Sequence, residues 1–182
     1  MTRAVRKPLR IKPQSRRTLE ERLIIRFPRG YALLARAIFR LPPASRIRQA
    51  FVWRGVELGI AATNRRDFEA VLPRYDPDVV FVPAREMVTL GVANMYRGRQ
   101  GYVQFWDDWD EVWSSHARYE SAVLVDLGHC LVGLLRVSGV GGASGVAVEM
   151  DGTFVWTLKD GRVIKEEHHA GTDLDSILER LG

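Results

Sequence analysis

The fold is decided by a stretch near the C-terminus, Val155-Trp156-Thr157-Leu158-Lys159-Asp160-Gly161-Arg162-Val163. β-Branched and aromatic residues are typical of strands, and Asp-Gly between two such runs is a hairpin signal. The stretch therefore predicts two antiparallel strands, residues 145–158 and 162–169, joined by a tight turn. We expect a kink or bulge in the first strand near Asp151-Gly152. A closing helix, capped by Asp173, is predicted to end at Leu181.

Two further strands are predicted upstream of this hairpin. Residues 115–125 alternate between two faces with a period of two, and residues 130–138 are apolar on both faces, which is typical of a covered strand. Earlier still, we predict helices over residues 67–73 and 98–113. Between them lie a turn at residues 75–78, a strand at 79–82, and an irregular segment, 83–95, suited to a lid or pocket rim. Helices followed by long antiparallel strands indicate an α+β fold.

The N-terminal part of the chain differs from the rest in charge. Residues 1–50 hold 14 Lys and Arg against two acids, a net charge of +12, whereas the remainder holds 13 against 20, a net charge of −7. This asymmetry predicts a basic arm, residues 1–44, attached to an acidic domain, residues 45–182.

Within the arm, residues 1–17 are polar and Arg-rich, which favours disorder. Helices are predicted over 18–27 and 31–41, the first opened by a capping box at Thr18 and Glu21. Ser45 is placed to cap the first helix of the domain, which we expect to extend to about residue 62.

Bulk properties exclude several classes of protein. The chain has 46% hydrophobic and 27% charged residues, which is ordinary for a globular protein. It has no apolar run of about 18 residues that could span a membrane, and we recognise no secretory signal. Cys130 is the sole cysteine, so no intramolecular disulfide forms, as is common in the cytoplasm. The four histidines lack ligand spacing, so we predict no metal, and no phosphate or dinucleotide signature indicates a cofactor.

Three groups of residues carry a family resemblance: Asn64-Arg65-Arg66-Asp67-Phe68, then Tyr75-Asp76-Pro77-Asp78-Val79-Val80-Phe81, then Tyr96-Arg97-Gly98-Arg99. Together with the hairpin and Ser144-Gly145-Val146, this order resembles the SnoaL-like branch of the nuclear-transport-factor-2-like superfamily. The resemblance covers about residues 60–182. It implies a cone, in which a strongly curved antiparallel sheet wraps around helices and encloses a pocket.

The resemblance also implies a range of functions. Members include polyketide cyclases, steroid isomerases, epoxide hydrolases, dehydratases and non-enzymatic modules, so the fold alone leaves open whether this chain is an enzyme. We expect a small apolar or polycyclic ligand in the pocket, with acid–base isomerase, cyclase or dehydratase chemistry, and a homodimer. The alternative is a non-catalytic dimeric interaction module. The Asp/Arg/Asp set of the epoxide hydrolases is not visible here, and the tyrosine and two aspartates of the isomerases cannot be mapped.

Candidate catalytic residues follow from the last strands. Period two places His168 and Glu166 on one face of the last strand, and a histidine suits a general base near neutral pH. A solvated strand end is the competing interpretation. Arg136 follows the apolar face of Cys130, Val132 and Leu134, where it would hold an anionic ligand or enolate. The competing interpretation for Arg136 is a salt bridge to Glu149 or Glu120 on a neighbouring strand.

Aromatic residues are candidates for the pocket wall. Trp106, Trp109 and Trp113 share one helix face. Tyr75, Tyr96 and Tyr102 could donate a hydrogen bond to an oxyanion. The full set expected to bind a ligand is Trp53, Tyr75, Tyr96, Trp106, Trp109, Trp113, Tyr119 and Trp156. Alternatively these residues are simply core.

The basic arm has three interpretations. It packs its apolar stripe on the cone or on a dimer partner. Alternatively, an apolar stripe beside three arginines forms an interfacial helix on an anionic membrane. The stripe is Tyr31, Leu34, Ile38, Phe39 and Leu41, and the arginines are Arg29, Arg36 and Arg40. The third interpretation, binding of nucleic acid or another polyanion, lacks a recognised reading module and is the least favoured. We expect a cytoplasmic protein, with peripheral membrane attachment as the variant.

Overall fold

The computed structural model describes residues 5–114, 116–171 and 174–181. These residues contain seven α-helices and seven strands. The helices are α1 Leu19–Arg26, α2 Pro28–Phe39, α3 Arg46–Asn64, α4 Phe68–Val71, α5 Arg85–Thr89, α6 Gly98–Glu111 and α7 Leu174–Leu181. The strands are β1 Val5–Arg10, β2 Tyr75–Val82, β3 Tyr96–Arg97, β4 Arg118–Asp126, β5 Cys130–Val140, β6 Ala147–Lys159 and β7 Arg162–Ala170. Asp173, the predicted cap of α7, lies outside the described residues.

All seven strands form one curved sheet, in the order β1-β4-β5-β6-β7-β2-β3. Every pairing is antiparallel except that of β2 with β7. The inner face carries Leu131, Leu135 and Phe154 into the main core with α3 and α6. The outer face carries Cys130 and Val132 against α7. The chain is therefore an α+β cone, as the sequence predicts.

The predicted helices and strands form, with differences at their ends. Thr18 and Glu21 make the capping box of α1, and Ser45 caps α3. Asp67 precedes α4 but makes no side-chain cap hydrogen bond, and Arg17 binds its carboxylate at 2.7 Å. The segment predicted as irregular, 83–95, contains the short helix α5.

Two expectations about the strands are wrong. Residues 75–78 were expected to form a turn, but β2 begins at Tyr75. The pairing of β5 with β6 continues without a register shift through Asp151 and Gly152, so no bulge lies there. The irregularity falls instead between Thr157 and Leu158, in the pairing of β6 with β7.

The expected disorder of residues 1–17 is wrong for Val5–Arg10, which pair along the whole of β4 from Asp126 to Ser121. Leu9 and Ile11 are buried in the main core. Pro8 is tolerated because β1 is an edge strand, where a missing N–H costs no ladder hydrogen bond. The division into an arm and a separate domain stays a prediction.

Helix α2 lies against the β6–β7 hairpin at very short range. A Cβ atom at Gly161 would lie 2.5 Å from the backbone nitrogen of Arg36 and 2.6 Å from the carbonyl carbon of Ala35. Gly161 also has a φ of +79°, which glycine adopts without strain. The turn glycine thus permits both the hairpin and the close approach of α2.

Candidate functional site: an aromatic cavity with one carboxylate

A cavity of about 110 Å³ lies between α2, α3, α6 and the inner face of the sheet. Its wall is mostly aromatic and aliphatic. Tyr31, Phe39 and Phe51 line the side formed by α2 and α3, and Leu135, Phe154 and Trp156 line the side formed by the sheet. The charged residues in the wall are Arg74 and Glu166. The Glu166 carboxylate needs hydrogen-bond partners in this wall, because a buried charge without partners is costly in free energy.

Glu166 has hydrogen bonds at both carboxylate oxygens. Tyr75 Oη donates to Oε2 at 2.5 Å, and His168 Nε2 lies 2.8 Å from Oε1. The parallel pairing of β2 with β7 brings Tyr75 to this strand, and period two places Glu166 and His168 on one face. Glu166 and His168 are 3% and 5% exposed, so the solvated strand end is not what the structure has.

His168 lies behind Glu166 rather than in the cavity wall. Its ring is surrounded by Phe81, Phe105 and Phe154, with centroid distances of 4.6, 5.6 and 4.1 Å. Its Nδ1 is buried without a hydrogen-bond partner. A neutral ring with the proton on Nε2 leaves no donor unpaired there, because Nδ1 then carries only a lone pair. His168 thus supports the Glu166 carboxylate from behind, and Glu166 is the member of the pair that lines the cavity.

Besides Tyr31, three phenols share the cavity wall with Glu166: Tyr75, Tyr102 and Tyr119. Burial raises the pKa of each above its ordinary value, and the negative charge of Glu166 adds to the shift. All three are therefore neutral O–H donors near neutral pH. The rings of Tyr75 and Tyr102 are 4.7 Å apart, which places both phenols near the carboxylate.

Arg74 is the cation of the cavity wall. Its Nη1 donates to the carbonyl of Ala70, and its guanidinium lies 5.8 Å from the ring centre of Tyr31. Its Nε and Nη2 are buried and have no hydrogen-bond partner among the described residues. Because a guanidinium stays charged, two donors are left for an acceptor in the cavity. The sequence pattern gave no sign of Arg74, since it depends on where a 3₁₀ turn, Leu72–Arg74, docks.

The structure brings half of the predicted aromatic residues to the cavity. Tyr75, Trp106, Tyr119 and Trp156 line it. Trp156 has room because Gly133 lies beneath it, where a Cβ would come within 2.8 Å of the indole.

The other four aromatic residues lie elsewhere in the core. Trp109 and Trp113 contact each other edge to face at 5.3 Å, and Trp53 is buried outside the wall. Tyr96 donates to Asp108 at 2.5 Å. Trp109 lies nearer the C-terminal end of α6 than Trp106 does, and Trp113 lies beyond the end of the helix, where it pairs with Gly141.

The structure does not bring Arg136 to this site. Its guanidinium is half-exposed and forms an ion pair with Asp151 at 3.0 Å. Neighbouring positions along β5 face opposite sides of the sheet, and Leu131 and Leu135 take the cavity side. Arg136 therefore lies on the outer face, beyond the part that α7 covers. The salt-bridge interpretation was correct in kind, with Asp151 rather than Glu149 or Glu120 as the partner.

Residues that sequence reasoning missed come mainly from α2 and α3. Tyr31, Phe39 and Phe51 form a connected aromatic group, with centroid distances of 5.8 and 6.1 Å to Phe51. Tyr31 was recognised only as part of an apolar stripe. The stripe itself was the signal available, because an apolar face on the arm needs a surface to cover.

The fold and the site define the protein as an α+β cone whose curved sheet and helices enclose an aromatic cavity with one buried carboxylate. The chain belongs to the SnoaL-like domain family, whose sequence profile matches residues 56–166, more than half of its 182 residues. No curated protein sequence matches the chain.

Solved structures share the fold. An NTF2-like protein of unknown function from Burkholderia pseudomallei is 21% identical, with a TM-score of 0.59 over 70% of this chain and 94% of that one. TerC, co-crystallised with polyporic acid, is 21% identical, with a TM-score of 0.57 over 69% and 94%. A candidate polyketide cyclase from Xanthomonas campestris is 16% identical, with a TM-score of 0.54 over 71% and 95%. At these identities the likeness establishes the NTF2-like cone and nothing finer.

Proposed function

We propose that the protein binds a small cyclic compound with a carbonyl or carboxylate group in this cavity, and that Glu166 transfers a proton on it. The observation that carries the proposal is the Glu166 carboxylate in the wall of a mostly apolar, aromatic cavity. A carboxylate in such surroundings is a suitable base for a carbon next to a carbonyl. Isomerisation, cyclisation and dehydration each contain such a step.

The roles follow from the geometry. Glu166 takes a proton from the carbon, and the electron pair of the broken C–H bond moves to the carbonyl oxygen. A phenol such as Tyr102 donates a hydrogen bond to the resulting enolate. The proton then returns from Glu166 to another carbon, or leaves with a hydroxyl group as water. His168 and Tyr75 are positioning residues, because they hold the two carboxylate oxygens.

The cavity volume limits the size of the ligand. A cavity of about 150 Å³ is enough for benzene, whereas drug-sized ligands occupy pockets of roughly 300–1,000 Å³. At about 110 Å³, the cavity suits a ligand of about one ring. A polycyclic ligand requires α2 to move away from the hairpin.

Arg74 supports an acceptor group at one end of the ligand. Its Nε and Nη2 lack partners, and a carboxylate or carbonyl oxygen would satisfy both. Glu166 and Arg74 then serve different ends of one molecule, the reacting carbon and the anchoring oxygen. Such a pair of convergent polar groups in an apolar wall is typical of ligand sites.

The test is exchange of the α-hydrogens of cyclohexanone with deuterated water, followed by NMR. The protein should accelerate exchange over buffer, and Glu166→Gln should abolish the acceleration because an amide cannot take the proton. Arg136→Met is the matched control, since it changes a charge outside the cavity. Exchange that is no faster than in buffer, or that survives Glu166→Gln, contradicts the catalytic role.

Binding measured in parallel separates catalysis from simple capture. Trp106 and Trp156 line the cavity, so their fluorescence reports a bound ligand. Cyclohexanone and polyporic acid, the compound present with TerC, are the two probes. Saturable binding without exchange would support a non-catalytic binding module in place of an enzyme.

A further inference from the structure

An exposed surface on α1 and α2 combines apolar and basic side chains. Leu19 and Leu23 of α1 and its C-cap residue Phe27 are 72%, 50% and 58% exposed. They follow at intervals of four residues and so lie on one face of the helix. Arg22 and Arg26 are exposed beside them. An apolar helix face left in water is unusual and marks a contact with something else.

Helix α2 has a similar solvent-facing side. Ala35 is fully buried, and Tyr31 and Phe39 turn with it toward the cavity. On the opposite side, Leu33 and Leu34 are 69% and 53% exposed. Arg29, Arg36 and Arg40 are exposed along the same helix. One face of α2 thus closes the cavity, and the other presents leucine and arginine to the outside.

In the part of the chain that the structure describes, the basic charge of this surface is balanced only on the side of the hairpin. There Arg36 pairs with Asp160 at 3.1 Å, and Asp76 and Asp78 share a groove with Arg29 and Leu33. Glu20 and Glu21 are the acids of residues 1–50, and both are neutralised, by Arg54 and Arg65. Among the described residues, no acid forms an ion pair with Arg22, Arg26, Arg29 or Arg40. The apolar side chains are therefore bordered by cations with free hydrogen-bonding capacity.

We propose that the exposed face of α1 and α2 docks on an anionic membrane surface. Leucine and phenylalanine would enter the acyl boundary while the arginines bind lipid headgroups. A second copy of the chain fits less well, because a twofold contact would bring these arginines against their own copies. Nucleic acid also fits less well, because phosphates give the exposed leucines and phenylalanine no apolar partner.

Co-sedimentation of the full chain with vesicles tests the proposal. We expect binding to phosphatidylcholine vesicles that contain phosphatidylserine and little binding to phosphatidylcholine alone. Leu23→Ser with Phe27→Ser should weaken binding at least tenfold. Arg22→Gln with Arg26→Gln should weaken it by roughly fivefold per charge, since each arginine near the surface contributes about 1 kcal/mol. Added salt should weaken binding further.

The matched control is Leu90→Ser with Met95→Ser. These side chains are also exposed, at 55% and 42%, but they lie at the end of α5 and in the loop after it. This variant should bind the vesicles as the wild type does. No binding to phosphatidylserine vesicles overturns the proposal.

Two other measurements identify a different occupant. Light scattering shows whether Leu23→Ser with Phe27→Ser changes the mass in solution, which would assign the surface to a second copy instead. The second measurement is the binding of a duplex oligonucleotide. If the protein binds the duplex but not vesicles, and the same substitutions leave duplex affinity unchanged, the arginines bind a polyanion instead. Either result contradicts the membrane proposal.

Discussion

Arg48 of α3 and Asp126 of β4 form a fully buried, bidentate ion pair, with Nε–Oδ2 and Nη2–Oδ1 distances of 2.8 and 2.7 Å. The same guanidinium donates to the carbonyls of Phe39, Leu41 and Gly128. One side chain therefore fastens the C-terminal end of α2 to the turn between β4 and β5. Since Phe39 lines the cavity, this pair also fixes one edge of the site.

Asp126→Asn should lower the free energy of unfolding by about 3–5 kcal/mol, because it leaves a buried guanidinium without its counter-charge. Urea denaturation measures the effect. The double variant Arg48→Met with Asp126→Leu should cost less than Asp126→Asn, since no charge stays buried. Arg136→Met, which breaks an exposed pair with Asp151, should cost about 0–1 kcal/mol. Equal losses for the buried and exposed pairs would contradict this account.

The sequence predicted the sheet and one strand of the site for a physical reason. The Asp160-Gly161 turn fixes a hairpin, and the period of a strand then places Glu166 and His168 together. Tyr75 and Trp156 were also foreseen in the wall. Which of the two polar residues reaches the cavity could not be foreseen, because it depends on how Phe81, Phe105 and Phe154 enclose the histidine ring.

The other half of the cavity was beyond sequence reasoning. Tyr31 and Phe39 reach the site only because α2 docks on the hairpin, and nothing in the local pattern of α2 pairs it with Gly161. The role of Asp126 could not be foreseen either, since its partner Arg48 lies 78 positions away. Contacts made between distant segments leave no periodic signal along the chain.

Gly161→Ala should displace α2 from the hairpin and open the cavity. The added methyl group would meet the backbone of Arg36 and Ala35, and backbone does not yield as a side chain does. We expect a lower melting temperature and faster fluorescence quenching of Trp156 by acrylamide.

Gly171→Ala is the control for Gly161→Ala. Gly171 also has a positive φ, +84°, but its added methyl group meets nothing within 4 Å. The Gly171→Ala variant should lose only about 1–3 kcal/mol of unfolding free energy, the cost of placing alanine at a positive φ. Its fluorescence quenching should not change. If both variants open the cavity equally, α2 is not held by close packing on Gly161.

The five tyrosines should all resist ionisation in the folded protein. Burial raises the pKa of Tyr31, Tyr75, Tyr102 and Tyr119, and burial with the hydrogen bond to Asp108 raises the pKa of Tyr96 to about 12. The unfolded chain ionises near about 10. The contribution of these tyrosines to the free energy of unfolding is therefore fully present below pH about 10. It is lost as the pH rises from there through the folded pKa values, because the unfolded state releases these protons more readily than the folded state.

Phenolate absorbance measures this difference. In native protein the absorbance should stay flat through about pH 10 and rise only with unfolding, followed by circular dichroism on the same samples. Protein in concentrated urea should titrate near the ordinary value. A tyrosine that ionises near pH 10 without loss of the native circular dichroism would show that at least one of the five is not shielded.

Deletion of residues 1–44 tests whether residues 45–182 are a separate domain. The deletion removes β1, which covers the edge of β4, and it removes Tyr31 and Phe39 from the cavity wall. An uncovered strand edge favours association, so we expect the shortened chain to denature at lower urea and to aggregate. Deletion of residues 1–4 alone is the control. A monomeric shortened chain of full stability would show that the arm and the domain fold independently.

Arg74→Met should remove a preference of the cavity for acidic ligands. The free Nε and Nη2 of Arg74 predict that benzoate binds more tightly than benzyl alcohol, which has a similar ring but no charge. A hydrogen bond to a charged group contributes about 1.5–3 kcal/mol, so Arg74→Met should weaken benzoate binding by roughly 10- to 150-fold and leave benzyl alcohol nearly unchanged. Tryptophan fluorescence measures both, with Arg136→Met as the control cation outside the cavity. If benzoate keeps its advantage in Arg74→Met, the anchoring oxygen is bound elsewhere, and the phenols of Tyr102 and Tyr119 become the donors to test, because they lie in the same wall.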